Sequence, residues 1–386
     1  VILRCYCLLL LLFWTMTASG GMKLEQYRSL WGVIDDCDGI SARSPVRTFE
    51  QALEELVKLG YDGVEMPFKV FLHLGKDRVK QLLKQHNLKC TIMIFSDGPV
   101  CPGCGPVFGG PYAGFTAPSE AGESDRDLLV KTHLAVWKEQ VKAAQEFNPT
   151  LVVSHTLKDY FTVQMAEQFF TEALRWEKEM CYFVCHETHR KRFLHSPWVA
   201  RDFVCKFPEM KLCADLSHWI NVAETNTEDP DLTQVIEDLA PQVYHTHCRV
   251  GYDHGPQVPD PRAPEWLPYM EGHERWWDAI FRAQVARGQK VSTMIGEHGP
   301  PTYQQCLPHS QEPVAHIWDI NLWVQLRRQV RFAELFGSSG GITSRLVPSK
   351  TQGELPKTSP GESILKGRKR CGVQTDEEAS KAKRAC

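Results

Sequence analysis

Short apolar, β-prone runs alternate along this chain with longer amphipathic stretches. Leu30–Ile34 predicts a first strand, entered through a polar, helix-like stretch from Met22 to Arg28. Phe49–Leu59 predicts a helix that stops at Gly60, a natural C-terminal signal. Gly63–Met66 and Lys89–Phe95 follow as strands two and three, with a helix at Asp77–Gln85 between them. A long loop, Ser96–Ser124, leads to a strongly periodic helix at Asp125–Glu146, a fourth strand at Leu151–His155 and a helix at Val163–Met180. Four later segments, Cys181–His189, Lys211–His218, Val243–Arg249 and Val291–His298, supply strands five to eight. Helices near Trp198–Lys206, Leu232–Leu239, His273–Arg287 and Val314–Phe336 separate and close them. Eight strand–helix units in a row predict an α/β chain whose parallel sheet closes into a (β/α)8 TIM barrel. No repeat is visible at solenoid periods.

Each of the last four strands ends in groups that bind a hard or borderline cation: Glu187, Asp215, His245 with His247, and Glu297. A barrel delivers such residues to the C-terminal mouth of its strands. Side chains alternate along a strand, so His245 and His247 face the same way; His245 is taken as the ligand, with His247 as its alternative. Two Glu, one Asp and one His form an oxygen/nitrogen set suited to one divalent ion, Mn²⁺, Mg²⁺, Co²⁺ or Zn²⁺. A single acid at a strand end can equally cap the next helix; four at successive strand ends point to a metal centre. Glu65, His155 and Trp31 occupy positions from which a side chain can face the pocket. His186 and His189 read as packing or loop residues, and Trp276 and Trp277 as core.

With these residues in place, the chain resembles the sugar isomerase/epimerase superfamily with the xylose isomerase-like barrel. That group includes ketose 3-epimerases, hydroxypyruvate isomerase and inosose dehydratase. The resemblance spans roughly residues 28–336 and rests on Glu187, Asp215-x-x-His218, His245 and Gly296-Glu297. It implies that Glu187, Asp215, His245 and Glu297 hold one divalent metal ion. It also implies that Glu187 and Glu297 form an acid/base pair and that His218 contacts substrate hydroxyls. Arg249, His155, His247, Glu65 and Trp31 complete the expected substrate-binding set.

The implied reaction is isomerisation or epimerisation of a sugar or related hydroxy-carbonyl compound through an enediolate. A proton beside a carbonyl is too weakly acidic for a carboxylate base unless the enediolate is stabilised, and a Lewis-acidic metal does that. Dehydration of a polyol or inosose is the nearest alternative. Two more distant readings are an endonuclease IV-type nuclease, which needs further histidines on strands two and three, and a non-catalytic barrel. The stretch Val250–Arg262 departs from the compact epimerase pattern, so the resemblance does not name a substrate.

A net charge of −3 gives no electrostatic reason to expect nucleic acid. Of the 14 cysteines, Cys90, Cys181, Cys185, Cys213 and Cys248 fall inside predicted strands, where free thiols pack as small hydrophobes; this favours a reducing, cytoplasmic setting. The lone Cys101/Cys104 pair lacks the second pair that zinc needs. Residues 1–21 read as an untranslated stretch upstream of Met22 or, alternatively, as a secretory leader, and no membrane span is expected in the mature chain. Residues 22–336 form the expected barrel. Residues 337–386, rich in Ser, Gly, Pro and Lys with two small basic clusters, are expected to be a disordered basic tail. The expected partner is a small carbohydrate, and a homo-oligomer is left open.

Overall fold

Eight parallel strands hydrogen-bond in sequence order, the last to the first, and so close a barrel. The structure is a computed structural model and describes residues 21–34, 47–97 and 122–337. The strands are β1 (Lys23–Ser29), β2 (Gly63–Pro67), β3 (Lys89–Phe95), β4 (Val152–His155), β5 (Val184–Glu187), β6 (Leu212–Ala214), β7 (Val243–Cys248) and β8 (Val291–Gly296). The helices, in chain order, are α1 (Phe49–Lys58), α2 (Phe68–Leu74), α3 (Lys76–Gln85), α4 (Glu123–Ala144) and α5 (Val163–Met180). They continue with α6 (Pro197–Val204), α7 (Leu216–Val222), α8 (Pro230–Leu239), α9 (Leu267–Ala286) and α10 (Ile317–Phe336).

Local signals set the helix starts. Thr48 forms a capping box with Gln51 at the head of α1, Thr162 accepts from the Met165 amide at α5, and Asp229 accepts from the Asp231 and Leu232 amides at α8. Apolar packing falls into two bodies of very different size. A large belt between strands and helices runs from Met22 to Phe332, whereas a small cluster of Leu151, Val153, Cys185 and Cys213 fills the inside of the barrel. A charged strut joins α9 to α10. Arg328 is fully buried and donates to Asp278 at 2.8 Å and to Glu274 at 3.3 Å, while Arg327 and Arg331 reach the same carboxylates from the rim.

The first strand differs from expectation. β1 is the polar stretch Lys23–Ser29, and Leu30–Ile34 forms the turn beyond it. The buried polar side chains of β1 find partners on neighbouring elements, although Gln26 Oε1 and Arg28 Nε stay without a hydrogen bond. Glu25 meets Lys89 at 2.6 Å, the Gln26 side-chain amide donates to the Gln325 carbonyl, and Arg28 reaches the Tyr61 hydroxyl. Helices α2 and α7 are additional to the predicted set, α2 starting directly at the end of β2 and α7 one residue past β6. Residues 1–20, the Cys101/Cys104 pair, most of the Ser96–Ser124 loop and the segment from 338 onward lie outside the described residues. Among the described residues no helix is long and apolar enough to cross a membrane.

Candidate metal centre and active site

Four side chains from the ends of β5 to β8 converge. Donor atoms of Glu187, Asp215, His247 and Glu297 all lie within 4.8 Å of one another. Glu187 closes β5 and Asp215 follows β6 directly, where its carboxylate caps α7 by accepting from the Ser217 amide at 3.1 Å. His247 points inward from β7; its Nδ1 is 3.2 Å from Glu187 Oε1 and 3.0 Å from Glu297 Oε2. Glu297 stands just beyond the Gly296 end of β8.

His247, not His245, is the histidine of this cluster. The strand register explains why His247 rather than the expected His245 joins it. Ala214 of β6 pairs with Thr246 of β7, which brings Asp215 level with His247, while His245 pairs lower, with Cys213. His245 instead meets the Thr293 hydroxyl at 2.8 Å and Glu65 Oε2 at 3.3 Å. A second donor group, Cys213, His245 and His247, shares His247 with the first.

The donor set fits a divalent cation. Glu187, Asp215, His247 and Glu297 are at most 4% exposed, and both Glu187 oxygens, Glu297 Oε2 and His247 Nδ1 lack a hydrogen bond of good geometry. Three clustered, buried carboxylates need positive charge close by. Arg249 supplies some of it, paired with Asp215 and 3.7 Å from Glu297. Burial pushes the Glu187 carboxyl up, but His155 and His247 outweigh it and hold the group well below the usual carboxylate range. Burial raises the Asp215 carboxyl, and the charges of Glu297 and Glu187 add to this against the pull of Arg249. His247 keeps its proton well above the ordinary imidazole range despite burial, because Cys213 and the carboxylates of Glu297, Glu65 and Glu187 surround it.

A cavity of about 260 Å³ opens at the mouth, with Trp31, Glu65, His155, His189, Arg249 and Glu297 among its walls. Trp31, Glu65, His155 and Arg249 thus stand where the sequence reading put them, facing the cavity. His218 does not line it. It accepts from Arg249 Nη2 at 2.6 Å, and burial, with His189 and Arg249 nearby, holds it well below the ordinary imidazole range. Gly251 lets the chain beyond Arg249 pass α7, since a Cβ there would meet the Ser217 carbonyl oxygen at 2.5 Å.

The sequence profile of the family described as Xylose isomerase-like TIM barrel matches residues 53–302, more than half of the chain. The chain belongs to the xylose isomerase-like TIM-barrel family. No curated protein matches it in sequence. Among solved structures, it is similar to the D-psicose 3-epimerase of Clostridium cellulolyticum H10 with D-tagatose. The identity is 14%, covering 81% of this chain and 99% of that one, at a TM-score of 0.46. A 3-keto-D-glucoside 4-epimerase from E. coli aligns at 13% identity over 79% of this chain and 100% of its own, at a TM-score of 0.45. A xylose isomerase-like TIM barrel protein from Mycobacterium smegmatis in complex with magnesium aligns at 12% identity over 80% and 97%, at a TM-score of 0.47. Family membership rests on the profile match; these likenesses are too distant to carry a substrate, a metal or a residue's role onto this chain.

In this xylose isomerase-like barrel three wall residues escaped the sequence reading. His189 was assigned to packing or loop, yet it lines the cavity with its ring 4.7 Å from His155 and 3.9 Å from His218. Its place two residues past Glu187, on the same side of an extended chain, was the available signal. Tyr303 comes from the loop after β8 and packs edge-on to Trp31 at 5.2 Å; no periodicity marks it. Arg192 joins the wall through a salt bridge to Asp97 at 2.6 Å, and Lys158 pairs with the same carboxylate. His186 lies outside the barrel, stacked on Trp137 and paired with Glu177, as a packing residue.

Asp97 anchors this part of the wall. Burial raises its carboxyl, but Arg192 and Lys158 outweigh burial and bring it down to about 2. An unfolded Asp titrates near 4, so the ion group contributes about 2–3 kcal/mol above that pH. The sign follows from a depressed folded pKa: stability is lost as pH falls from about 4 through about 2. Urea midpoints should therefore show wild type well above Asp97→Asn at neutral pH, with the gap shrinking below pH ~4. A gap independent of pH would contradict this account.

Proposed function

We propose that this chain is a divalent-metal-dependent isomerase or epimerase of a sugar or related hydroxy-carbonyl compound, working through an enediolate. One observation carries the reading: two buried glutamates from separate strands, Glu187 and Glu297, meet at one four-donor cluster at the barrel mouth. Held by Glu187, Asp215, His247 and Glu297, an ion such as Mn²⁺, Mg²⁺, Co²⁺ or Zn²⁺ supplies Lewis-acid polarisation of a carbonyl.

The chain's own residues do the rest. Glu187 is held ionised by His155 and His247, so it is ready to take the proton beside the carbonyl, with His155 Nε2 2.6 Å from its Oε2. Glu297, in the cavity wall, returns a proton to the opposite face or the neighbouring carbon. Arg249 stands between Asp215 and Glu297 and balances their charge. Trp31, Phe95 and Tyr303 line the cavity and shield the transfer from water. A three-metal nuclease arrangement finds no support at β2 and β3. Their barrel-facing positions carry Glu65, Thr91, Met93 and Phe95, with no histidine.

Incubation of the Mn²⁺-loaded protein with ketoses, aldoses and inososes in D2O, followed by NMR, tests the reading. Deuterium should enter a carbon next to a carbonyl in wild type and not in Glu187→Gln. Exchange followed by loss of water would move the assignment to a dehydratase, which begins with the same proton abstraction. Absence of exchange on every compound, with one metal bound, would sink the proposed substrate class.

A further inference from the structure

Glu65 sits on β2, a strand that contributes no donor to the four-residue cluster. Its Oε1 lies 3.2 Å from His247 Nε2 and its Oε2 3.3 Å from His245 Nε2. The Thr91 hydroxyl donates to Oε2 at 2.8 Å, so the carboxylate's direction is itself fixed. Glu65, His245 and His247 are all within 1% of full burial. The His247 ring therefore spans two acidic groups, Nδ1 facing Glu187 and Glu297 and Nε2 facing Glu65.

An imidazole nitrogen that ligates a cation must be free of its proton, so the proton of a neutral ring sits on the other nitrogen. Here that nitrogen is Nε2, and Oε1 of the Glu65 carboxylate, which Thr91 holds, lies 3.2 Å from it. That is close enough to take the proton once the ring turns into line, although the two do not form a hydrogen bond of good geometry as they stand. A carboxylate behind a ligating histidine locks its tautomer and ring direction and raises its basicity. The same arrangement weighs against a second ion at Cys213, His245 and His247, because Glu65 Oε1 lies only 3.2 Å from His247 Nε2.

We propose that Glu65 is a positioning residue. It fixes His247 with Nδ1 bare toward Glu187, Asp215 and Glu297, and through that imidazole it sets the affinity of the centre for a divalent cation. This rests on the metal-centre reading above, and it replaces the expectation that Glu65 binds substrate.

Mn²⁺ titrated into the full chain, followed by calorimetry, is the test. Glu65→Ala should weaken Mn²⁺ binding by about 10–100-fold. Glu65→Gln keeps an acceptor but not the charge and should weaken it by a smaller factor. In the Zn²⁺-loaded protein with ¹⁵N-labelled histidine, NMR should place the His247 proton on Nε2 in wild type, with that signal lost in Glu65→Ala. Unchanged Mn²⁺ affinity in both folded variants, or a wild-type His247 protonated on Nδ1, overturns the proposal. Should Glu65→Ala fail to fold, the Gln variant and the wild-type tautomer decide. Wild-type protein that binds no Mn²⁺ overturns the metal-centre reading itself, whereas wild-type binding with unchanged variants overturns the role of Glu65 alone.

Discussion

His247→Ala is expected to raise the Kd for Mn²⁺ by more than about 100-fold, because outer partners of a ligand alone cost 10–100-fold. Removing this ring takes away the nitrogen donor of the cluster and brings Glu187 and Glu297, each about 3 Å from it, into unbuffered opposition. His245→Ala is the matched control, two residues earlier on the same face of β7. It costs packing and a contact to Glu65 but leaves all four donors in place, so Mn²⁺ affinity changes by less than about tenfold. Calorimetric titration of both variants separates the two histidines. Equal losses, or a larger loss at His245, would refute the assignment of His247.

Arg328→Met is expected to destabilise the fold by about 3–5 kcal/mol, the cost of leaving buried charge without its partner. Arg328 is fully buried and serves both Glu274 and Asp278, which are themselves 1% exposed. Arg327 and Arg331 are about one-third exposed in their side chains and approach from the rim, so they screen the carboxylates without replacing the buried guanidinium. Methionine keeps much of the volume against Trp277 and Phe281, so the loss reports charge rather than a hole. Urea denaturation read by circular dichroism measures it. A change below about 1 kcal/mol would show that the strut contributes little.

Seven of the eight strands were legible because a parallel barrel strand is buried on both faces and reads as a compact apolar run. Lys89–Phe95 and Val163–Met180 were read to the residue. β1 escaped because its sequence, Lys-Leu-Glu-Gln-Tyr-Arg-Ser, looks solvated. Its burial depends on partners hundreds of positions away, such as Gln325 for Gln26, and no local pattern encodes them. The acidic donors were legible because a strand end announces itself by a change of composition. The choice between His245 and His247 was not, since alternation fixes which face a side chain takes but says nothing of depth along the barrel axis. Depth comes from the register between β6 and β7, which shifts at Leu212/Cys213, and that irregularity belongs to the folded sheet.

The small size of the apolar cluster inside the barrel has a consequence for how the fold and its chemistry share out the residues. Cohesion resides in the outer belt of strand-to-helix contacts, which the centre does not share. The bore above Cys213 is polar and held by ion pairs among Glu65, His245, His247 and Glu187. Exchanging a residue there alters chemistry while the hoop that keeps the staves together stays intact. The chemistry of the bore and the cohesion of the barrel thereby rest largely on separate sets of residues, with the cost of an unpaired buried charge as the one link between them.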